Sequence, residues 1–272
     1  MPQNRQTTAS TFREWAAPDA RDWVAVPAAT DDKYSRGVLG VITGSDRYPG
    51  AAVISVDAAL HTGLGMVRYL GPADQLVLSR RPEAVAVDGR VDAWLLGCGT
   101  ATPDDATRTA AAQGRPTVLD AGALSLASTP QGPTVITPHA GELARILNID
   151  RSDIENDRAA AVLRAADEFG VTVMLKGNET LVADPHGTRL AVTATTSWLA
   201  TAGTGDALAG ILGALVATHS DAVGADVTAL AALAATASSL QVAAADLVRG
   251  PFTVLDLTAA IPAAVRAALA EH

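Results

Sequence analysis

Six short apolar runs constrain this chain most: Val38 to Ile42, Met66 to Leu70, Ala93 to Leu96, Thr117 to Asp120, Thr134 to Thr137 and Val171 to Leu175. Each is apolar almost throughout, with no alternation of apolar and polar residues. A strand built this way has no face for water and must be covered on both sides. Helical patterns separate the runs, as in Gly50 to about His61 and from about Pro103. The sequence therefore predicts an α/β fold, with a mostly parallel central sheet and helices on both faces. Leu181 to Asp184 and Arg189 to Val192, joined through Pro185-His186-Gly187, read as a small β-hairpin. Only helices follow it: Asp206 to about His219, Asp226 to Val248 and Asp256 to Leu269. No linker or repeat interrupts residues 31–272, which read as one domain after an arm or first helix over residues 1–30.

The formal net charge of -9 argues against nucleic acid or an anionic membrane surface as a partner. Any anionic ligand must be held by local cations and backbone amides. The single cysteine, Cys98, excludes an internal disulfide and fits a reducing cytoplasm. Val227 to Val248 is the most apolar stretch, but Asp226, Gln241, Asp246 and its Ala, Ser and Thr content read as a buried Ala-rich helix, not a membrane span.

Ligands of open α/β sheets bind beyond the carboxyl ends of the strands. Here those ends carry Gly44-Ser45-Asp46, Gly97-Cys98-Gly99, Asp120-Ala121-Gly122, Pro138-His139-Ala140-Gly141-Glu142 and Lys176-Gly177-Asn178-Glu179-Thr180. The strongest signal is Ala202-Gly203-Thr204-Gly205-Asp206, which opens a helix. Glycines let backbone approach a ligand closely, and free amides at a positive helix end bind phosphate. Asp206 beside such an anion hole suits the base that takes a proton from an attacking hydroxyl. A plain alternative stands beside it: a Gly-rich turn with Asp as an ordinary first-turn residue. Likewise Glu142 reads as a first-turn acid favoured by the helix dipole, and His139 as a cap for that helix. Lys176 can neutralise phosphate or simply end a strand. Cys98 has no partner His and reads as a small residue in a tight loop.

In order, these loops resemble the ADP-dependent NAD(P)H-hydrate dehydratase family, a branch of the ribokinase-like superfamily. The match runs from about Lys33 to the C-terminus through Gly44-Ser45-Asp46, Thr62-Gly63-Leu64-Gly65, Asp120-Ala121-Gly122-Ala123-Leu124, Thr137-Pro138-His139-x-Gly141-Glu142, Lys176-Gly177-Asn178-x-Thr180 and Gly203-Thr204-Gly205-Asp206. The resemblance implies a ribokinase-like fold and repair of hydrated NADH or NADPH, the (6S) form being returned to NAD(P)H. ADP would phosphorylate the ring hydroxyl, and elimination would then give AMP and phosphate. It implies Asp206 as catalytic base, with Ala202, Gly203, Thr204 and Gly205 as the anion hole. Lys176, Gly177, Asn178, Glu179, Thr180 and Gly205 would bind ADP or AMP, while Ala51, Gly99, His139 and Asp206 would line the hydrated nicotinamide. Magnesium is implied as cofactor, with Glu142 as an outer-shell partner. Relatives are often tetrameric or larger, so a homo-oligomer, a tetramer by preference, is expected. Some relatives carry an N-terminal epimerase domain; residues 1–30 are too short for it, so a separate epimerase chain is expected.

Two stretches depart from the family pattern. Thr193 to Leu199 reads Thr-Ala-Thr-Thr-Ser-Trp-Leu, where an Asn-x-Thr-Gly-Asn type is usual, and Lys33-Tyr34-Ser35-Arg36-Gly37 replaces a His-Lys-Gly type. Two other functions use the same features. A vitamin-precursor kinase of this fold would keep Asp206 and the anion hole but take ATP. A nucleotide sensor that has lost catalysis would fit the altered 193–199 stretch, though it has no need of the base.

Overall fold

The apolar runs become neighbours in a single ladder. The computed structural model describes residues 12–270. Along the chain, β1 (Arg13–Glu14) and α1 (Ala17–Arg21) lead into β2 (Val38–Ile42), α2 (Gly50–Thr62), β3 (Met66–Tyr69) and α3 (Asp74–Arg80). Then come β4 (Ala93–Leu96), α4 (Asp105–Ala111), β5 (Thr117–Leu119), a 3-10 turn (Ala121–Ser128), β6 (Thr134–Ile136), α5 (Ala140–Leu147), α6 (Arg151–Asn156) and α7 (Arg158–Phe169). The last strands are β7 (Thr172–Leu175), β8 (Glu179–Ala183) and β9 (Arg189–Thr193). A 3-10 turn (Ser197–Leu199) then leads to α8 (Thr204–Thr218), α9 (Ser220–Ala225), α10 (Ala229–Val248) and α11 (Val254–Ala270).

The nine strands form one sheet in the order β1-β9-β8-β7-β6-β5-β4-β2-β3. Among the described strands only β8 runs against the others, as the first strand of the expected hairpin with β9. Two helical layers cover the sheet. Leu39 and Val41 of β2 face a core built with α2, α8, α10 and α11, while Val38 and Ile42 face one built with α4, α5 and α7. That is why the runs are apolar on both sides. Of the arm read over residues 1–30, residues 1–11 lie outside the described residues. Within residues 12–30, β1 pairs with β9 at the sheet edge and α1 follows it.

The Ala-rich segment is core. It starts at Ala229 and not Asp226, because Asp226 accepts from the Thr228 amide and hydroxyl and so closes a separate turn after α9. Helix α10 is long and apolar enough to cross a membrane, yet most of it is buried inside this fold. Small residues also set the helix spacing. A Cβ on Gly210 of α8 would lie 2.3 Å from the Ser55 carbonyl oxygen of α2, so only glycine permits these two helices to touch there.

One ionic cluster ties this layer together. Asp57 of α2 is 1% exposed and accepts from Arg81 Nε at 2.5 Å and from the Thr258 hydroxyl of α11, with His61 Nδ1 at 3.5 Å. Burial opposes its charge, but the bonds from His61, Thr258 and Arg81 outweigh burial and hold its carboxyl below the ordinary value of 3.8. Removing one member of such a pair strands the other. Asp57→Asn is expected to lower unfolding free energy by about 3 kcal/mol at neutral pH in a denaturant titration. Because the folded-state value is depressed, that deficit should begin to shrink as pH falls below 3.8, where the unfolded chain takes up the proton, and close only at the lower pH where the folded carboxylate is protonated too.

Candidate active site

All strand ends except that of β8 point to one edge of the sheet, and the order changes direction around β2, with β3 on one side and β4 on the other. That switch point opens a crevice. The loops after β2 and β4 meet across it: the Gly44 amide donates to Cys98 O at 2.7 Å, and Ser45 Oγ to Gly99 O at 2.7 Å. Ala51, in the first turn of α2, abuts Gly99, where a Cβ would sit 2.5 Å from the Ala51 Cβ. The structure thus brings Ala51 and Gly99 together from different loops.

The start of α8 closes the crevice. Gly203 is its N-cap at φ 91°, a left-handed conformation that favours glycine. The Thr204 amide is used internally on Thr201 O, whereas the amides of Gly205 and Asp206 have no hydrogen-bond partner among the described residues. These two N–H groups, at the positive end of a fifteen-residue helix, suit an anion. The turn is braced: Thr204 Oγ1 donates to Leu199 O at 2.9 Å, and Gln241 Nε2 of α10 donates to Thr204 O at 2.7 Å. Ala202 is exposed one residue before the cap.

Charges converge beneath this turn. Lys176 Nζ lies 2.7 Å from Asp120 Oδ1 and 3.9 Å from Glu142 Oε2. Burial opposes the Lys176 charge, but Asp120 and Glu142 outweigh it and hold the ammonium above its ordinary value. The Asp206 carboxylate makes no hydrogen bond or ion pair among the described residues. Burial pushes its carboxyl up to about 6, with Asp120 adding to the rise, Lys176 opposing it and Glu142 raising it further. A carboxylate poised near 6 and free of partners is suited to accept a proton at neutral pH. Cys98 is buried, its thiol pushed well up by burial and by Asp120 and Asp206, so it is no nucleophile.

His139 and Glu142 adopt the capping arrangement. His139 Nδ1 accepts from the Gly141 and Glu142 amides at 3.0 and 3.3 Å, and Glu142 Oε2 accepts from the His139 amide at 2.8 Å. This satisfies the start of α5. Glu142 is thereby partly committed, although it also stands 3.9 Å from Lys176, and His139 lines the neighbouring cavity.

A cavity of about 540 Å³ lies beside the α8 turn. Lys176, Gly177, Asn178, Thr180, Thr204 and Gly205 line it, together with His139. Glu179 does not; its carbonyl accepts from Arg158 at 3.1 Å and its side chain is exposed. The unusual 193–199 stretch also lines the cavity, through Ala194, Thr196, Ser197 and Leu199, and is pinned by Thr195 Oγ1 to Asp246 Oδ1 at 2.5 Å. Ser238, Gln241 and Val242 of α10 form the far wall and carry no motif that marks them in the sequence. The Lys33 to Gly37 stretch precedes β2 and packs against Gly65 at the start of β3, so it sits at the opposite edge of the sheet.

The family described as NAD(P)H-hydrate dehydratase matches residues 39–262. A bifunctional NAD(P)H-hydrate repair enzyme of Mycobacterium leprae is 44% identical over 218 residues, covering 74% of this chain and 45% of that protein. The chain thus spans under half the length of that relative. An ADP-dependent (S)-NAD(P)H-hydrate dehydratase of Neisseria meningitidis is 36% identical, covering 70% of this chain and 72% of that protein. A crystal structure of the ADP/ATP-dependent NAD(P)H-hydrate dehydratase of Bacillus subtilis, co-crystallised with ATP and Mg2+, superposes with a TM-score of 0.84 at 24% identity, over 94% of this chain and 99% of that one. The ribokinase-like fold expected from the loops is the fold observed. With the family match spanning the sheet, the α8 turn and the crevice, the chain belongs to the NAD(P)H-hydrate dehydratase family.

Proposed function

We propose that this chain returns (6S)-hydrated NADH or NADPH to NAD(P)H at the expense of ADP, releasing AMP and phosphate. The observation that carries this reading is the unpartnered Asp206 carboxylate beside two free helix-start amides, on a turn whose Thr204 and Gly205 line a cavity of about 540 Å³. Hydroxide is a poor leaving group, so direct loss of water from the ring is slow. Asp206 takes the proton of the C6 hydroxyl as its oxygen attacks the β-phosphorus of ADP, and AMP departs. The ring nitrogen's electron pair then expels phosphate from C6, and loss of the C5 proton restores the double bond. The Gly205 and Asp206 amides face the charge that develops on the moving phosphoryl group.

In this reading Lys176, Gly177, Asn178, Thr180 and Gly205 hold the nucleotide, with Glu179 contributing backbone only. Ala51, Gly99 and His139 border the hydrated ring with Asp206. Among the described residues magnesium finds little free carboxylate beyond Asp206: Asp120 accepts from Lys176 and Thr137, and one Glu142 oxygen from the His139 amide. It would travel on the nucleotide's own oxygens, neutralising their charge, with Glu142 reaching it only through water. A site that distinguishes the configuration at C6 leaves the other epimer untouched, so a separate epimerase activity would have to feed it. The free thiol of Cys98 supports a reducing, cytoplasmic setting.

Hydrated NADH incubated with the protein and ADP should regain the near-ultraviolet absorbance of the dihydronicotinamide. Recovery with ATP but a phosphorylated product would favour the kinase, and no recovery with either nucleotide would sink the proposal. Asp206→Asn should slow turnover by about a hundredfold or more while ADP affinity stays within a few-fold. In wild type, kcat/KM should fall as pH drops below about 6, where Asp206 gains its proton.

The same carboxylate makes a stability prediction of opposite sign. Its folded-state value is raised, so the charged form destabilises the fold. Asp206→Asn should stabilise the protein by roughly 2–3 kcal/mol above pH 6, and the gain should vanish below 3.8, where both states are protonated. Thermal unfolding across that window checks it.

A further inference from the structure

Asp120 ends β5 in a loop the sequence marks, yet none of the roles above falls to it. It is 3% exposed. Its amide donates to Leu96 O at 3.0 Å, fixing the backbone to β4. Its Oδ1 accepts from two neighbouring strand ends at once: Thr137 Oγ1 beyond β6 and Lys176 Nζ beyond β7, both at 2.7 Å. The carboxylates of Asp120 and Asp206 and the Cys98 sulfur offer ligand atoms that all lie within 4.8 Å of one another.

Lys176 is the cation among them. Its ammonium lies 3.5 Å from the point where a Cβ on Gly205 would stand, so it sits under the first turn of α8, one residue from Asp206. It nevertheless makes no ion pair with Asp206. The groups that face Asp206 are Asp120 from β5, Glu142 from α5, Lys176 from β7 and the neutral Cys98 thiol from β4. A lysine is a point charge on a flexible four-carbon stem, so its ammonium can swing between neighbouring carboxylates unless one holds it. Glu142 stands at 3.9 Å, with the same oxygen already accepting the His139 amide. Without Asp120, the ammonium is left between Glu142, whose nearer oxygen is shared with the His139 amide, and the Asp206 carboxylate, which has no ion pair among the described residues. A Lys176–Asp206 pair in this buried place would lower the proton affinity of the base and occupy the lone pairs it needs.

We propose that Asp120 is a positioning residue: braced by Thr137, it holds Lys176 Nζ on its own carboxylate and so keeps Asp206 unpaired and able to take a proton. This rests on the reading of Asp206 as the base. It also fixes the ammonium beneath the amides that face the phosphoryl group.

The test combines kinetics with a measurement that needs no turnover. In Asp120→Asn, kcat should fall about tenfold or more, and the acidic limb of the pH profile should move down by about one unit, as expected when a cation pairs with a carboxyl. Thr137→Val should move the limb the same way by less, and it keeps the proposal testable if Asp120→Asn fails to fold. Adding Lys176→Met to Asp120→Asn should raise the limb by more than Lys176→Met raises it alone, because only without Asp120 would the ammonium contact Asp206; equal shifts in the two backgrounds would overturn the proposal. Independently, the thermal stabilisation given by Asp206→Asn above pH 6 should shrink in the Asp120→Asn background, because Asp206 would then be paired there. An unmoved limb or an undiminished stabilisation would overturn the proposal. Absence of dehydratase turnover in wild type would overturn the functional reading instead, and the unfolding measurement would still decide whether Asp120 keeps Asp206 unpaired.

Discussion

The parallel ladder governs this molecule. Hydrogen bonding in register from β3 through β2, β4, β5, β6 and β7 points six strand ends the same way and buries both sheet faces. A polar side chain at a strand end therefore has two choices: it meets another loop, or it meets the crevice. Asp120, Thr137 and Lys176 are far apart in sequence but sit on adjacent strands, about 4.8 Å apart per step, so their side chains converge without any loop having to reach. The site is a row of neighbours read across the sheet. Because the strands are rigid and buried, the charges are held by backbone and not by flexible surface loops.

The α8 turn completes what the sheet begins. Its close approach to α2 at Gly210 sets the depth of the helix, and Gln241 from α10 fixes its first carbonyl. The free amides of Gly205 and Asp206 thus face the charge cluster from above, while Lys176 lies below. Four ionisable groups share a space in which Lys176 sits 2.7 Å from Asp120 and 3.9 Å from Glu142, while Asp206 has no ion pair among the described residues. Asp206 is left with a high proton affinity and a destabilising charge at neutral pH. That is a stability cost placed at the point where a reactive carboxylate is needed.

Some marked residues also serve the fold. His139 and Glu142 satisfy each other's backbone at the start of α5, while His139 also lines the cavity and Glu142 Oε2 is shared with the His139 amide. The 193–199 stretch departs from the family pattern in letters but still supplies cavity wall, pinned at Asp246. Backbone carbonyls and short hydroxyl side chains can do that with many sequences. The Lys33 to Gly37 departure falls at the far edge and does not touch the crevice.

The sequence by itself determined the layers and the edge. Unbroken apolar runs such as Val38 to Ile42 demand burial on both faces, and Gly or polar residues at their ends mark where the chain turns toward a ligand. Gly203-Thr204-Gly205-Asp206 was legible as a helix start for the same local reason: glycine geometry and capping depend on neighbours in the chain. The tertiary structure alone decided which carboxylate Lys176 pairs with, that Thr137 braces Asp120, and that Ser238, Gln241 and Val242 wall the cavity. Ion-pair choice depends on distances between residues 56 apart, and lining depends on how α10 packs. Neither leaves a periodicity or a motif in the chain. The same loop that announced a base gave no sign of what keeps that base unpaired, because the partner it avoids comes from a different strand.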